Sequence, residues 1–596
     1  MSSLPVTLPE LAETGGKRSR WREKFLAGGL LLVWLILGGR LVHLHLTSGP
    51  EFESIAARQR TFREEVPPRP GEIVDRHGRV FATSVSVRSV YVVPCRLQQA
   101  WDSARKLAEA LEIDSDLLFE RISSRPQGQF LWVKRRITDA EADRIRAIKL
   151  PLDSWGFREE YRRSYPQGAL AAHVVGLRDI DNKGQGGVEQ SLNERIGGRT
   201  GYRELLRDAR GRVIDIDDET PHPPRHGEAV VLTLDAVIQL FAERALDDVM
   251  KEWRPKSCCA IVLAPETGEI LAMASRPTFD PNLPEGIPDD AWKNRTISDI
   301  YEPGSTLKPF IIAGALKHQL IKRDEVFHCG NGEYRMGKRV LHDHHPYGEM
   351  NIVDILVKSS NIGMAKIGER MGNDRLYEAV ATFGFGGPTG IELPGELGGL
   401  LRPLKQWNAY STGSVPMGQE IATTPLQLIT AYGALCNGGR MITPHLVLPG
   451  KDSLARPRQV VTWQAMDPAI VDWVRKEALT AVVSRGTGKK AEIKGFQVFG
   501  KTGTAQKPDP ETGEYSNRLH VSSFICGAPA SDPKALVLVS VDEPSTAGEH
   551  FGGSIAAPAA GKILRKALQR LRVPVPPEDP QQTAAKEEAE AESRLD

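Results

Sequence analysis

Three short groups of residues carry side chains that can perform acyl transfer. The first is Ser305 and Lys308 in EPGSTLKPF (302–310). Residues three apart share one face of a helix, so the Lys308 stem would lie beside the Ser305 hydroxyl. A serine hydroxyl is a poor nucleophile until a base takes its proton. Lysine serves as that base once desolvation, helped by a second cation, favours the neutral amine; the motif order names Lys501 as that cation. The second group is Ser359-Ser360-Asn361, in ILVKSSNIGMAKIGERMG, where a loop opens into a helix. The third is Lys501-Thr502-Gly503-Thr504 in VFGKTGTAQ, at the end of a predicted strand.

Spacing alone decides little for S-x-x-K, which recurs at Ser103–Lys106 and Ser531–Lys534, or for S-x-N, which recurs at Ser191–Asn193. K-T-G is the informative member, since average composition gives only about 0.1 occurrences in a chain of this length. Each part has a task. Ser305 is the nucleophile and Lys308 the base. Ser359 passes a proton between base and leaving amine, and Asn361 holds a substrate amide. Lys501 offers positive charge to a substrate carboxylate, Thr502 adds a hydroxyl, and Gly503 lets a ligand approach the strand. A backbone N–H at the helix start and another on the strand edge would stabilise the tetrahedral oxyanion. Pro309 fits the first turn of the helix.

These residues need a large frame, and 596 residues supply two or three domains. A net charge of +1 points away from nucleic acid as a partner. The six cysteines have no C-x-x-C spacing, which excludes a zinc site or a dense disulfide framework. Cys258 and Cys259 read as small packing residues on opposite faces of a strand. Phe25–Gly39 is apolar and uncharged, and LVHLHL continues it past Arg40. With Arg40 snorkelling, the segment 25–46 spans a hydrocarbon core of about 30 Å. Lys17, Arg18, Arg20, Arg22 and Lys24 precede it, which puts residues 1–24 in the cytoplasm and the rest outside.

Along the chain, 51–62 and 98–150 read as helical, 67–93 as strand–turn–strand, and 165–230 as Gly-rich with short strands. PHPPRHG (221–227) reads as a linker. Asp235–Trp253 is an amphipathic helix, followed by a hairpin of CCAIVLA and EILAMAS. Helices then run from Ser305, over 352–371 and over 424–437, before three strands and a closing helix at 556–572. The frame is therefore α+β, an antiparallel sheet flanked by helices with its first and last strands adjacent. The domain limits are 1–24 leader, 25–46 anchor, 47–225 β-rich pedestal, 226–572 catalytic domain and 573–596 disordered tail.

The ordered trio is the one used by penicillin-binding proteins and class A β-lactamases. From the anchor to about Arg572 the chain resembles the class B penicillin-binding proteins, specifically division-type peptidoglycan D,D-transpeptidases. RPGEIVDRHGRVFA is similar to that family's first pedestal signature through Arg69, Gly71, Asp75, Arg76 and Gly78, with Pro70 as an extra residue and Phe81 in place of leucine. RSYPQGALAAHVVG and GQGGVEQSLNERIGGRTG resemble further pedestal signatures, the latter with Glu189 at the acidic position. NRTISDIYEPGSTLKPF, MGQEIATTPLQL and GTGKKAEIKGFQVFGKTGTAQ resemble catalytic-domain segments.

The resemblance implies that Ser305, Lys308, Ser359, Asn361 and Lys501 carry catalysis, and that Thr502, Gly503 and Thr504 bind substrate. The oxyanion donors would be the N–H groups of Ser305 and Thr504. It implies a penicillin/β-lactamase-like fold, no cofactor and no metal. The partners would be peptidoglycan stem peptides, β-lactams as covalent inhibitors, the membrane through one helix, a polytopic glycan polymerase and division-complex proteins. The location would be the cytoplasmic (inner) membrane, single-pass, with the catalytic domain on the outer or periplasmic face. An elongation-specific transpeptidase is the alternative; a β-lactamase or β-lactam sensor fits the large pedestal and retained anchor poorly. His342, His344 and His345 read as a polar loop at the rim of the site, and Asp75–Arg76 as a pair fixing the pedestal turn.

Overall fold

The computed structural model of the chain describes residues 17–48, 51–52, 54–55, 61–151, 153–207, 213–216, 222–449, 462–509, 511–545 and 550–575. Residues 1–16 of the expected leader, 53 and 56–60 of the expected 51–62 helix, Pro221 of the expected linker and 576–596 of the expected tail lie outside them. The chain forms two compact units, residues 1–67 with 200–225, and residues 68–199 with 226–596.

In the first unit, helix Lys17–His43 continues as a wider π turn over Leu44–Ser48. Trp21–Thr47 is long and apolar enough to cross a membrane, and its large apolar side chains are exposed. Strands Thr61–Val66, Gly201–Arg207 and Val213–Ile216 pair in that order as an antiparallel sheet. Thr61 and Phe62, expected at a helix end, instead open a strand.

In the second unit, the Asp75–Arg79 turn leads into the long strand Val80–Val92. That strand pairs with Ile73–Val74, Leu131–Ile137 and Trp155–Ser164. Helices Ala100–Leu111, Ser115–Ser123 and Asp139–Arg146 occupy the stretch expected to be helical. Leu131–Ile137 between them is a strand because Leu131, Val133 and Ile137 enter the core below Val90 and Val92.

The pedestal signatures meet in one buried ion triad. Glu189 accepts from Arg163 Nε at 2.6 Å and from Arg178 Nε at 2.5 Å, with all three side chains at 2% exposure or less. Arg163 also donates to the Gly71 carbonyl (2.7 Å) and to Ser84 Oγ (2.9 Å), so the carboxylate ties three separate signatures together. Asp75 and Arg76 do not pair with each other. Asp75 accepts from the N–H groups of His77, Arg79 and Ala236, while Arg76 reaches Glu269 at 3.1 Å. The turn is therefore fastened to the start of helix Ala236–Trp253 and to the following hairpin.

The central sheet runs Glu269–Arg276, Ser257–Ala264, Ala535–Asp542, Tyr515–Ala528, Phe499–Pro508, each pair antiparallel. The first and last strands of this domain are neighbours in the middle of the sheet. Alternate residues enter different cores: Val537, Val539 and Val541 join helices Ala236–Trp253 and Gly552–Arg570, while Leu536 and Leu538 face the helical layer of Phe310, Ile362 and Leu428. Burial on both faces explains the uninterrupted apolar runs in these strands, because successive side chains point to opposite sides. Cys258 is buried in the first of these cores and burial pushes its thiol up to about 12; all six cysteines are free.

Replacing Glu189 with Ala would strand two buried guanidinium groups. Removing one member of a buried ion network costs about 3–5 kcal/mol. Denaturant unfolding of the full chain should show a loss of that order, and a loss below about 1 kcal/mol would contradict the role assigned to the triad.

Candidate active site

Ser305 lies in a 3₁₀ turn, Gly304–Leu307, that runs directly into helix Lys308–Lys317 with Pro309 in its first turn. In a 3₁₀ turn, residues three apart eclipse one another, which aligns Ser305 and Lys308 more closely than an α-helix would. Gly304 opens the turn at φ +55°, a left-handed conformation that side chains rarely adopt, and its N–H donates to Gly418 O at 3.1 Å. The Met417-Gly418-Gln419 segment thereby supports the nucleophile turn from below.

The second motif sits at a break within the stretch 352–371 expected to be helical, between helices Ile352–Lys358 and Asn361–Ala381, and opens into the second of them as expected. Ser359 occupies the left-handed region (φ 60°, ψ 38°), and Ser360 caps the second helix by accepting from Gly363 N at 3.0 Å. The third motif lies within the edge strand Phe499–Pro508 of the sheet, not at its end. A Cβ on Gly503 would collide with Ser523 Oγ and Thr306 Cγ2. Gly503 is thus required for the strand to close on the nucleophile turn, a different reason from ligand access.

All three motifs converge on the Ser359 hydroxyl. It is hydrogen-bonded to Ser305 Oγ at 2.9 Å and accepts from Lys501 Nζ at 3.0 Å and from Lys308 Nζ at 3.3 Å. Lys308 Nζ also donates to Ser359 O (2.6 Å), Asn361 Oδ1 (3.0 Å) and Ser360 O (3.3 Å). Among the described residues Lys308 makes no direct hydrogen bond to Ser305; the link runs through Ser359. Lys501 further donates to Thr502 O at 3.2 Å, and the Thr502 and Thr487 hydroxyls share a hydrogen bond of 2.8 Å. Thr504 Oγ1 accepts from Gly552 N at 3.2 Å. The Thr504 carbonyl packs against Gly304. In an antiparallel strand a residue's N–H and C=O face the same neighbour, so the Thr504 N–H faces the nucleophile turn.

Both lysines are fully buried. Burial lowers Lys308 from its ordinary 10.5 to about 7, against the opposing pull of the Asp343 carboxylate. Lys501 is driven well below its ordinary range, first by burial and then by the charge on Lys308. Of the two causes expected for Lys308, burial is the one that depresses it; the repulsion between the two lysines shows in the lowering of Lys501.

Asp343 was missed as a working residue. It accepts from Ser360 Oγ (2.6 Å), Asn361 N (2.5 Å) and Ile362 N (3.2 Å), holding the Ser359–Asn361 turn from outside. Its loop belongs to a separate segment of chain, and no local pattern in the sequence joins it to that turn. Its neighbours divide: His342 is exposed, while His344 and His345 line the cleft. Among the described residues, no group of three or more His, Cys, Asp and Glu side chains is arranged to hold a metal. The cleft has a volume of about 820 Å³ and is walled by Ser305, Ser359, Asn361, Thr502, Thr504 and Phe551 among others.

The converging serine hydroxyls and buried amines suit acyl transfer. The penicillin binding protein transpeptidase domain matches residues 258–565, and the penicillin-binding protein dimerisation domain matches residues 64–232. The peptidoglycan D,D-transpeptidase FtsI of Escherichia coli (strain K12) is 32% identical over 95% of this chain and 94% of its own length. Stage V sporulation protein D of Bacillus subtilis (strain 168) is 32% identical over 91% of this chain and 84% of its own. The crystal structure of penicillin binding protein 3 from Mycobacterium tuberculosis complexed with aztreonam superimposes with a TM-score of 0.67 at 28% identity, covering 86% of this chain and 98% of that one. The chain belongs to the penicillin-binding protein transpeptidase family.

The site predicts a pH profile. Lys308 takes a proton only when neutral, so acylation of Ser305 by a β-lactam should fall about tenfold per pH unit below pH 7 and level off above it. Asp343→Asn removes the charge that holds the Lys308 pKa up, so the midpoint should move to lower pH. Stopped-flow acylation rates read this directly, and a midpoint that stays or rises contradicts it.

Proposed function

We propose that this chain is a membrane-anchored peptidoglycan D,D-transpeptidase that cross-links stem peptides through a Ser305 acyl-enzyme during septal wall synthesis. One observation carries the reading: a hydrogen-bonded chain runs from the Ser305 hydroxyl, at the cleft surface, through Ser359 to the buried amines of Lys308 and Lys501.

In this reading the terminal carboxylate of a D-Ala–D-Ala donor docks on Lys501 and Thr502, and Asn361 holds an amide of the donor. Ser305 Oγ attacks the penultimate carbonyl while its proton passes through Ser359 to neutral Lys308. The N–H groups of Ser305 and Thr504 hold the oxyanion. The proton returns through Ser359 to the departing D-alanine amine. A side-chain amine of an acceptor stem then attacks the acyl-enzyme, forming the cross-link and freeing Ser305. The steps move only an acyl group and protons, and call on no cofactor.

The basic flank before the apolar helix supports a cytoplasmic N-terminus with the catalytic domain on the outer or periplasmic face of the inner membrane. The septal assignment rests on resemblance to division-type members of the family, and brings with it a polytopic glycan polymerase and division-complex proteins as partners. A fluorescent fusion should gather at the division site, and depletion should give filaments rescued by the wild-type gene but not by Ser305→Ala. Uniform side-wall fluorescence with rounded depleted cells would assign the chain to elongation.

A further inference from the structure

Cross-linking needs two ligands of opposite charge, a donor ending in a carboxylate and an acceptor that arrives as an ammonium. Lys501 and Thr502 suit the first. For the second, Glu302 is the one carboxylate among the described residues whose side chains line the cleft that holds Ser305. It sits three residues before the nucleophile and stands in the wall between this cleft and a second opening of about 430 Å³, which it also lines with Ala505 and Gln506.

Among the described residues, only neutral donors hold this carboxylate. The Tyr515 hydroxyl lies 2.8 Å from Oε1 and 3.0 Å from Oε2, and Glu420 N donates to Oε1 at 2.9 Å. Among the described residues, no Lys, Arg or His forms an ion pair with Glu302, whereas nearby Glu420 is paired with Arg402. Burial and the Glu420 charge both push the Glu302 pKa up, against its two hydrogen bonds. A carboxylate withdrawn from water without a counter-ion is costly. A cation entering the cleft would relieve that cost.

We propose that Glu302 is the docking group for the acceptor ammonium and takes the first of the two protons the acceptor loses, the one that must leave before the amine can attack. The inference rests on the Ser305 acyl-enzyme reading. R–NH₃⁺ gives one proton to the Glu302 carboxylate, and the neutral amine attacks the acyl carbon. As the C–N bond forms and the Ser305 C–O bond breaks, a second proton returns through Ser359 to Ser305 Oγ. The third stays on the new amide nitrogen, and Glu302 releases its proton to solvent.

The test separates the two half-reactions of the detergent-solubilised full chain. Penicillin acylation needs only the donor machinery; aminolysis of a D-alanyl thioester donor by a stem tripeptide with one free side-chain amine needs the acceptor site as well. Hydrogen bonds to charged groups are worth about 1.5–3 kcal/mol, so Glu302→Gln should raise the acceptor KM by about tenfold or more. Partition should shift from aminolysis to hydrolysis, penicillin acylation should stay within about threefold, and Glu302→Asp should restore part of the acceptor affinity. If Glu302→Gln does not fold, wild type decides: a trimethylammonium analogue of the acceptor should compete with it, and the N-acetyl analogue should not. An unchanged acceptor KM with intact acylation, equal loss of both half-reactions, or equal competition by the two analogues would overturn the proposal alone. Failure of wild type to acylate would instead overturn the reading beneath it.

Discussion

Two lysine side chains are buried on either side of one serine hydroxyl, and the rest of the catalytic domain is arranged around that constraint. Lowering Lys308 from 10.5 to about 7 corresponds to a shift of roughly 5 kcal/mol toward its neutral form relative to water. Such a shift survives only if water is kept out, and the large apolar layer containing Leu307, Phe310 and Ile362 does so. The amine is also not left unpartnered, because the Ser359–Ser360–Asn361 turn supplies oxygen acceptors to it. A buried polar group without partners would be far more costly than this network.

The turn that supplies those oxygens cannot be a helix. Ser359 takes left-handed backbone angles, and such a residue persists only where its surroundings over-determine it. Asp343 does part of this by holding the two N–H groups that start the next helix and the Ser360 hydroxyl. It also pulls the Lys308 pKa up toward neutrality. One carboxylate therefore helps hold the shape of the turn and moderates the proton affinity of Lys308. On the opposite wall, Gly503 leaves the gap that lets the edge strand, with Lys501 and Thr504, reach the nucleophile turn.

Much of this was legible in the sequence because it is local. K-T-G is rare, the apolar runs mark strands buried on both faces, and the Asp235 and Thr424 caps stand at the starts of their helices. What escaped depends on contacts between distant segments. Leu131–Ile137 has few residues and an uneven alternation, and only its pairing with Val80–Val92 makes it a strand. Asp343 lies among histidines that read as a polar loop at the rim of the site, while its partners are 17 to 19 residues away. Glu302 was in plain view within EPGS, but its lack of a counter-ion is visible only once Tyr515 and Glu420 are in place.

Ser305, activated through Ser359 and Lys308, is expected to become covalently acylated by penicillin. Mass spectrometry of the full chain after brief exposure to penicillin tests this most directly. One penicilloyl group per chain is expected, located on the peptide containing Ser305, persistent over the experiment and absent from Ser305→Ala. An adduct retained in Ser305→Ala, or wild type that turns the drug over and returns rapidly to its unmodified mass, would contradict it.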